Sequence, residues 1–130
     1  MNSDWSLEDW LLHAGERAHH KRSNGEPLSP LETFTWEYWT FDMHAVNGGV
    51  SQYFCNYDLQ HWTALRSSAP LEIVPSFGQV IDRIDNVISG AADPYEAVIE
   101  SPDIDDWYYH HRLSVIRELH EAAKIVAPER

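Results

Sequence analysis

Apolar residues recur along this chain at the three- and four-residue spacing of amphipathic helices, and no segment shows sustained alternation of apolar and polar positions. The clearest case runs from Phe77 to Ile88, where the apolar side chains fall within an arc of about 120° on a helical wheel. The predicted helices run from about Ser6 to Arg22, Pro30 to Val46, Val50 to Tyr57, Leu59 to Ser67, Phe77 to Ile88, Pro94 to Glu100 and Pro102 to Val126. The pattern therefore predicts an all-α fold, one compact domain of about six or seven helices over residues 1–130.

The second predicted helix carries the strongest start signal and the most apolar surface. Ser29 can accept a hydrogen bond from the first turn, Pro30 suits the first helical position, and Glu32 completes a capping box. Two apolar arcs follow, one made by Leu31, Phe34, Tyr38, Phe41 and Ala45 and the other by Trp36, Trp39, Met43 and Val46. A helix that is apolar on two sides is expected at the centre of the domain.

Composition agrees with a self-standing globular domain. Of the 130 residues, 43% are hydrophobic and 12% aromatic, which excludes disorder as the main interpretation. No apolar run is long enough to span a membrane, and the first residues lack the basic and apolar regions of a secretory signal. The single cysteine cannot form an internal disulfide, so we expect a reducing, cytoplasmic location.

Charge changes the picture most. Twenty-one carboxylates against nine lysines and arginines give a formal net charge of −12 at pH 7. Phosphates and anionic lipids would be repelled, so direct nucleic-acid binding and membrane binding are excluded. The charge instead favours a basic protein as the partner, although acidity that merely aids solubility is the simpler alternative.

The carboxylates are concentrated where cations are missing. No lysine or arginine occurs from Ile84 to His111, a stretch of 28 residues with seven carboxylates. Asp82 and Asp85 are expected to share the solvent side of the fifth helix, at a spacing similar to that of neighbouring phosphates. The predicted protein-binding surface consists of Asp82, Asp85, Asp93, Glu96, Glu100, Asp103, Asp105 and Asp106. The alternative is local: most of these residues lie near helix starts, where negative charge stabilises the helix.

Residues 47–56, Asn-Gly-Gly-Val-Ser-Gln-Tyr-Phe-Cys-Asn, form a distinctive string. Gly48 and Gly49 let one helix end and the next begin at close range, and Asn47 can cap the new helix. Gln52 and Asn56 are four positions apart, so both amides lie on one face and can bond to a neighbouring backbone. These features predict an architectural role rather than a ligand site.

The same string resembles the Asn-Gly-Gly-aromatic-x-Gln-Phe-Phe-x-Asn signature of a bacterial family of domains of unknown function. That family includes the C-terminal domain of an acidic DNA-mimic protein of the DMP type, and it usually has Phe where Val50 stands. The resemblance implies an all-helical fold of this size. It also implies a function in which the domain binds a DNA-binding protein in place of DNA.

Other roles remain open at this point. An immunity or antitoxin protein that neutralises a basic toxin, such as a nuclease, would need the same acidity. A small helical enzyme or metal protein could instead use Asp42, His111 and Glu118, which fall on apolar arcs of their helices. The six tryptophans would permit an aromatic patch for self-association, so a homodimer is a further expectation.

Metal binding and cysteine chemistry are two further hypotheses. The Glu16 to His19 and Asp58 to His61 spacings resemble half of a di-iron site, which also needs two more inward carboxylates. His19 and His20, however, lie next to Lys21 and Arg22 in what is expected to be a solvated helix end, where basic residues suit the helix dipole. Cys55 is expected to be a small buried hydrophobe rather than a nucleophile. We therefore expect no metal and no cofactor.

Overall fold

The computed structural model describes the backbone of residues 3–126 and the side chains of residues 6–125. This part of the chain contains seven helices and no strand, and it is 80% helical. The helices are α1 (Ser3–Ser23), α2 (Pro30–Gly48), α3 (Val50–Asn56), α4 (Leu59–Ser68), α5 (Pro75–Ile88), α6 (Pro94–Ile99) and α7 (Ile104–Val126). The predicted all-α fold is confirmed. None of these described helices is long and apolar enough to cross a membrane.

Helix α2 lies at the centre of the fold, as its two apolar arcs predicted. It packs against α1, α3, α4 and α7. Its start is the predicted capping box: the Ser29 hydroxyl accepts from the Glu32 amide at 3.1 Å, and the Glu32 carboxylate accepts from the Ser29 amide at 2.9 Å. Because α2 contacts four other helices, its position determines where those helices lie.

The core around α2 is largely aromatic. The Phe41 ring contacts the rings of Tyr38, Tyr53, Trp62 and Tyr108, with centroids 5.0 to 6.4 Å apart. All four pairs are tilted or edge-to-face, the arrangements that aromatic quadrupoles favour. All five side chains are essentially inaccessible to solvent. The core therefore joins α2 to α3, α4 and α7.

The second apolar arc of α2 is only partly buried, which corrects the sequence expectation. Trp36 and Trp39 are half-buried, whereas Met43 and Val46 are 38% and 44% exposed. Helix α1 covers the N-terminal part of the arc, where His19 stacks on Trp36 with ring centroids 4.9 Å apart. The C-terminal end of α2 therefore presents apolar side chains at the surface.

Candidate protein-binding surface

Six of the eight carboxylates predicted to bind a partner lie within residues 93–106, on α6, at the start of α7 and around them. They are Asp93, Glu96, Glu100, Asp103, Asp105 and Asp106, and all six residues are exposed. Because these fourteen residues hold only one short helix and the first turn of another, their carboxylates are confined to one region of the surface. We call these six residues the acidic face.

One cation from another helix reaches the acidic face. Arg83 of α5 donates to the Asp103 carboxylate at 2.8 Å, and its guanidinium lies 5.2 Å from the centre of the Trp107 ring. The expectation that this stretch has no compensating cation is therefore wrong at Asp103, because α5 packs against α7. Among the described side chains, no other lysine or arginine pairs with the acidic face. Within the described part of the chain, five of the six carboxylates therefore lack a lysine or arginine partner, and Asp106 lies 3.8 Å from the ring of His110.

Two members of the acidic face also stabilise helix starts, as the local alternative predicted. Asp93 caps α6 by accepting from the Tyr95 amide at 3.1 Å. Asp105 accepts from the Val50 amide at 2.8 Å, and so caps α3 from a distant part of the chain. Both residues remain exposed, so capping does not remove their charge from the surface. The local and the binding interpretations apply to the same residues.

A groove of about 390 Å³ lies between the C-terminal end of α2 and the start of α7, at the border of the acidic face. Its apolar wall includes Val46 and Tyr109, which are 44% and 58% exposed, and its polar wall includes Asp105 and Asp106. A lysine or arginine side chain can lay its aliphatic stem on such a wall and bring its charge to the carboxylates. Sequence reasoning missed this groove because one side of it comes from the end of α2 and the other from the start of α7, more than fifty positions apart in the chain.

The two carboxylates predicted on α5 differ from each other. Asp82 is exposed and forms no hydrogen bond or ion pair with the described residues. Asp85 is half-buried: it accepts from the indole of the fully buried Trp62 at 2.8 Å and pairs with Arg66 at 2.5 Å. The expectation that both face solvent at phosphate-like spacing is therefore wrong for Asp85. Its charge is compensated because α4 lies beside it.

The two glycines of the 47–56 string differ: the backbone conformation of Gly49 requires glycine, whereas the close contact at Gly48 is with the end of the flexible Gln52 side chain, which can move away. A Cβ on Gly48 would lie 1.6 Å from the Gln52 amide oxygen. Gly49 has a φ of +90°, which side chains other than that of glycine rarely adopt, and a Cβ there would lie 2.6 Å from an Asp105 carboxylate oxygen. These contacts agree with an architectural role for the string.

The amides of the string do not act as predicted. Asn47 lies within α2 and is exposed, so Gly49 occupies the cap position of α3 and Asp105 supplies the missing acceptor. The side chains of Gln52 and Asn56 form no hydrogen bond with the described residues, which corrects their predicted bonds to a neighbouring backbone. Asp105 of α7 therefore caps α3, where the sequence predicted a cap from Asn47.

Asp42, the first residue of the enzyme alternative, belongs to a buried ionic network. Arg112 donates to both Asp42 oxygens, at 2.8 and 2.7 Å, and also to Glu8. Tyr108 donates to Asp42 at 2.5 Å and therefore accepts from the Tyr38 hydroxyl at 2.8 Å. Burial lowers the pKa of Arg112, but the two carboxylates outweigh burial and hold that pKa above its ordinary value. The network ties α1, α2 and α7 together.

His111 and Glu118 have separate partners. His111 is half-buried, stacks on Trp107 at 3.9 Å between ring centroids, and donates from Nδ1 to the Trp107 carbonyl at 3.2 Å. Glu118 accepts from the amide and hydroxyl of Ser76 at 3.0 and 2.6 Å, at the start of α5. No hydrogen bond or ion pair within the described part of the chain joins Asp42, His111 and Glu118. Each has a structural contact that explains it without a substrate.

The residues of the metal hypothesis and the single cysteine all lie within the described part of the chain. Across residues 6–125, no group of three or more histidine, cysteine, aspartate or glutamate side chains is placed to hold a metal ion. Asp58 caps α4 and contacts His61 at 2.7 Å, while His19 stacks on Trp36. Cys55 is exposed, so its expected burial is wrong: it lies on the outer side of α3.

Comparison with known proteins adds no relative: the chain matches no family model, no curated protein and no solved structure. The resemblance of residues 47–56 to a family that contains a DNA mimic therefore stays a prediction. The acidic face and its groove are the observations from which a function can be proposed.

Proposed function

We propose that this chain is a non-enzymatic protein-binding domain whose acidic face binds a basic surface of a partner protein. One observation carries the proposal: six exposed carboxylates lie within fourteen consecutive residues, and Arg83 is the one lysine or arginine among the described side chains that pairs with any of them. The adjacent groove also exposes apolar side chains. Exposed apolar side chains suit a binding surface, whereas charges that serve only solubility do not require them.

The electrostatics favour a protein over a nucleic acid as the ligand. A chain with a net charge of −12 repels phosphates at long range and attracts a basic protein. Such attraction mainly speeds association and selects the partner, and salt weakens it. The groove would add short-range contacts that salt affects much less.

The specific form of this proposal is a DNA mimic, which occupies the nucleic-acid-binding surface of its partner. Its support is the acidic face together with the resemblance of residues 47–56 to the DMP-type family. A second candidate is an immunity protein that neutralises a basic toxin such as a nuclease, and the same acidic face supports it. The two differ in what the bound partner does, and both leave Asp42 and Glu118 in structural roles.

The test compares two variants of equal net charge. The first neutralises three carboxylates of the acidic face that cap no helix: Glu96→Gln, Glu100→Gln and Asp106→Asn. The control neutralises three exposed carboxylates elsewhere: Glu16→Gln, Glu26→Gln and Glu72→Gln. Each protein is immobilised, exposed to a lysate of the source organism at low salt, and washed at about 1 M salt, where the Debye length is about 3 Å.

We expect the wild type and the control variant to capture the same basic protein and to release it in the high-salt wash. The acidic-face variant should lose it. Release by duplex DNA would support the mimic, whereas inhibition of a captured nuclease would support the immunity protein. Equal capture by the acidic-face variant and the control would refute the proposal, because charge position would then not matter.

A further inference from the structure

A second cleft, with none of the groove's lining residues, lies where the end of α1 meets α2, α3 and the start of α4. Its volume is about 200 Å³, below the 300–1,000 Å³ that is typical of pockets for drug-sized ligands. It is therefore sized for one small chemical group. Three accessible or partly accessible rings line it, those of Trp36, Tyr57 and His61, together with the buried ring of Tyr53. Its charged members are Arg22 and Glu37.

Neighbouring rings hold the aromatic walls in place. Tyr53 and Tyr57 are stacked with centroids 5.1 Å apart, and His61 meets the Tyr57 ring edge-on at 5.0 Å. Trp36 is stacked against His19 of α1. Because the rings already pack on one another, a ligand that contacts them pays little for ordering side chains.

Glu37 is the unusual member of the cleft. It is half-buried, and within the described part of the chain it forms no hydrogen bond and no ion pair. Burial raises the pKa of the Glu37 carboxyl above its ordinary value, and the nearby side chains of Arg22 and His61 offset this only in part. A carboxylate that is withdrawn from water without a partner is costly, and a cation in the cleft would supply that partner.

We propose that this cleft binds a single organic ammonium group, with the aromatic rings around the cation and Glu37 as its counter-charge. Ring faces attract ammonium cations, and a carboxylate adds to that attraction where water is partly excluded. The cation can be a free quaternary amine or the side chain of a lysine, since both present a positively charged nitrogen to the rings and to Glu37. The proposal uses no residue of the acidic face, so either can fail without the other.

The test is an NMR titration that follows the Trp36 indole N–H in the full chain. Three probes are compared: choline, its neutral isostere 3,3-dimethylbutan-1-ol, and Nα-acetyl-lysine methylamide, which keeps a charged side-chain amine. We expect saturable shifts with choline or with the lysine derivative, and the tighter of the two identifies the source of the cation. The neutral alcohol should bind at least tenfold more weakly than choline.

Two substitutions should act in opposite directions. Glu37→Gln keeps the shape of the side chain and should weaken ammonium binding at least tenfold. Arg22→Gln removes a repelling charge at an exposed position and should strengthen binding. Glu26→Gln, an exposed carboxylate outside the cleft, should change nothing.

Three results would overturn the proposal. The first is the absence of a saturable shift of Trp36 with either amine. The second is equal binding of the neutral alcohol, which would indicate a merely apolar cleft. The third is binding of acetate that Arg22→Gln abolishes, which would make the cleft an anion site.

Discussion

The buried ionic network makes the sharpest prediction about stability, because removing one charge leaves another without its main partner. Asp42 and Arg112 are each 4% exposed, and two hydrogen bonds of 2.8 and 2.7 Å join them. Asp42→Asn preserves the shape of the side chain but removes the negative charge. Of its two carboxylate partners, the Arg112 guanidinium would then keep Glu8, whose side chain is 38% exposed.

The expected cost follows from the burial of that guanidinium. Breaking a buried pair by removing one partner costs about 3–5 kcal/mol, and Glu8 places this case near 3 kcal/mol. Domains unfold with about 5–15 kcal/mol in total, so the loss is a large part of the stability. With a urea slope of about 1–3 kcal/mol per M, the midpoint of unfolding should fall by about 1–3 M.

Urea unfolding followed by far-UV circular dichroism measures this shift. Asp82→Asn is the matched control, because Asp82 is exposed and has no partner among the described residues, and its midpoint should not move. The double variant Asp42→Leu with Arg112→Met should recover most of the loss, since it removes both charges together. A midpoint for Asp42→Asn equal to that of the control would refute the structural role of the network and return Asp42 to the candidates for chemistry.

Three further predictions concern pH, a turn and a cap. Burial raises the pKa of Tyr38, Tyr53 and Tyr108 in the folded state, so their contribution to stability is complete below the unfolded pKa near 10 and is lost as pH rises above it. Above pH 10 the free energy of unfolding, measured with urea, should therefore fall by up to about 4 kcal/mol per pH unit. A free energy of unfolding that stays constant from pH 9 to 11 would contradict this. Gly49→Ala should destabilise the chain by about 1–3 kcal/mol, because the positive φ and the adjacent carboxylate leave no room for a Cβ; an unchanged melting temperature would argue against that turn. Ser29→Ala should cost about 1 kcal/mol through the lost capping box of α2, whereas Ser29→Asp should retain most of it.

The helices were predictable because their signals are local. Ser29 and Glu32 are three positions apart and cap α2 through each other, and Asp93 caps the helix that begins at Pro94. Apolar periodicity needs no knowledge of the neighbouring helix to identify the buried side of α5. Element order and boundaries therefore follow from short stretches of sequence.

Partners of charged side chains were not predictable, because they come from distant parts of the chain. Asp85 pairs with Arg66 across 19 positions, and Asp42 with Arg112 across 70. A helical wheel gives the direction of a carboxylate but not the helix that faces it. For the same reason the sequence identified the charges of the acidic face, but it did not reveal that Arg83 pairs with Asp103 or that a groove lies beside the acidic face.

The proposed binding of a basic partner is tested most directly by the salt dependence of association between this chain and the captured protein. Association rates would be measured over a range of salt concentrations for the wild type, the acidic-face variant and its control of equal charge. We predict that at low salt the acidic-face variant associates at least roughly tenfold more slowly than the control, and that the difference disappears at high salt. Identical rates for the two variants at every salt concentration would contradict a role for the acidic face.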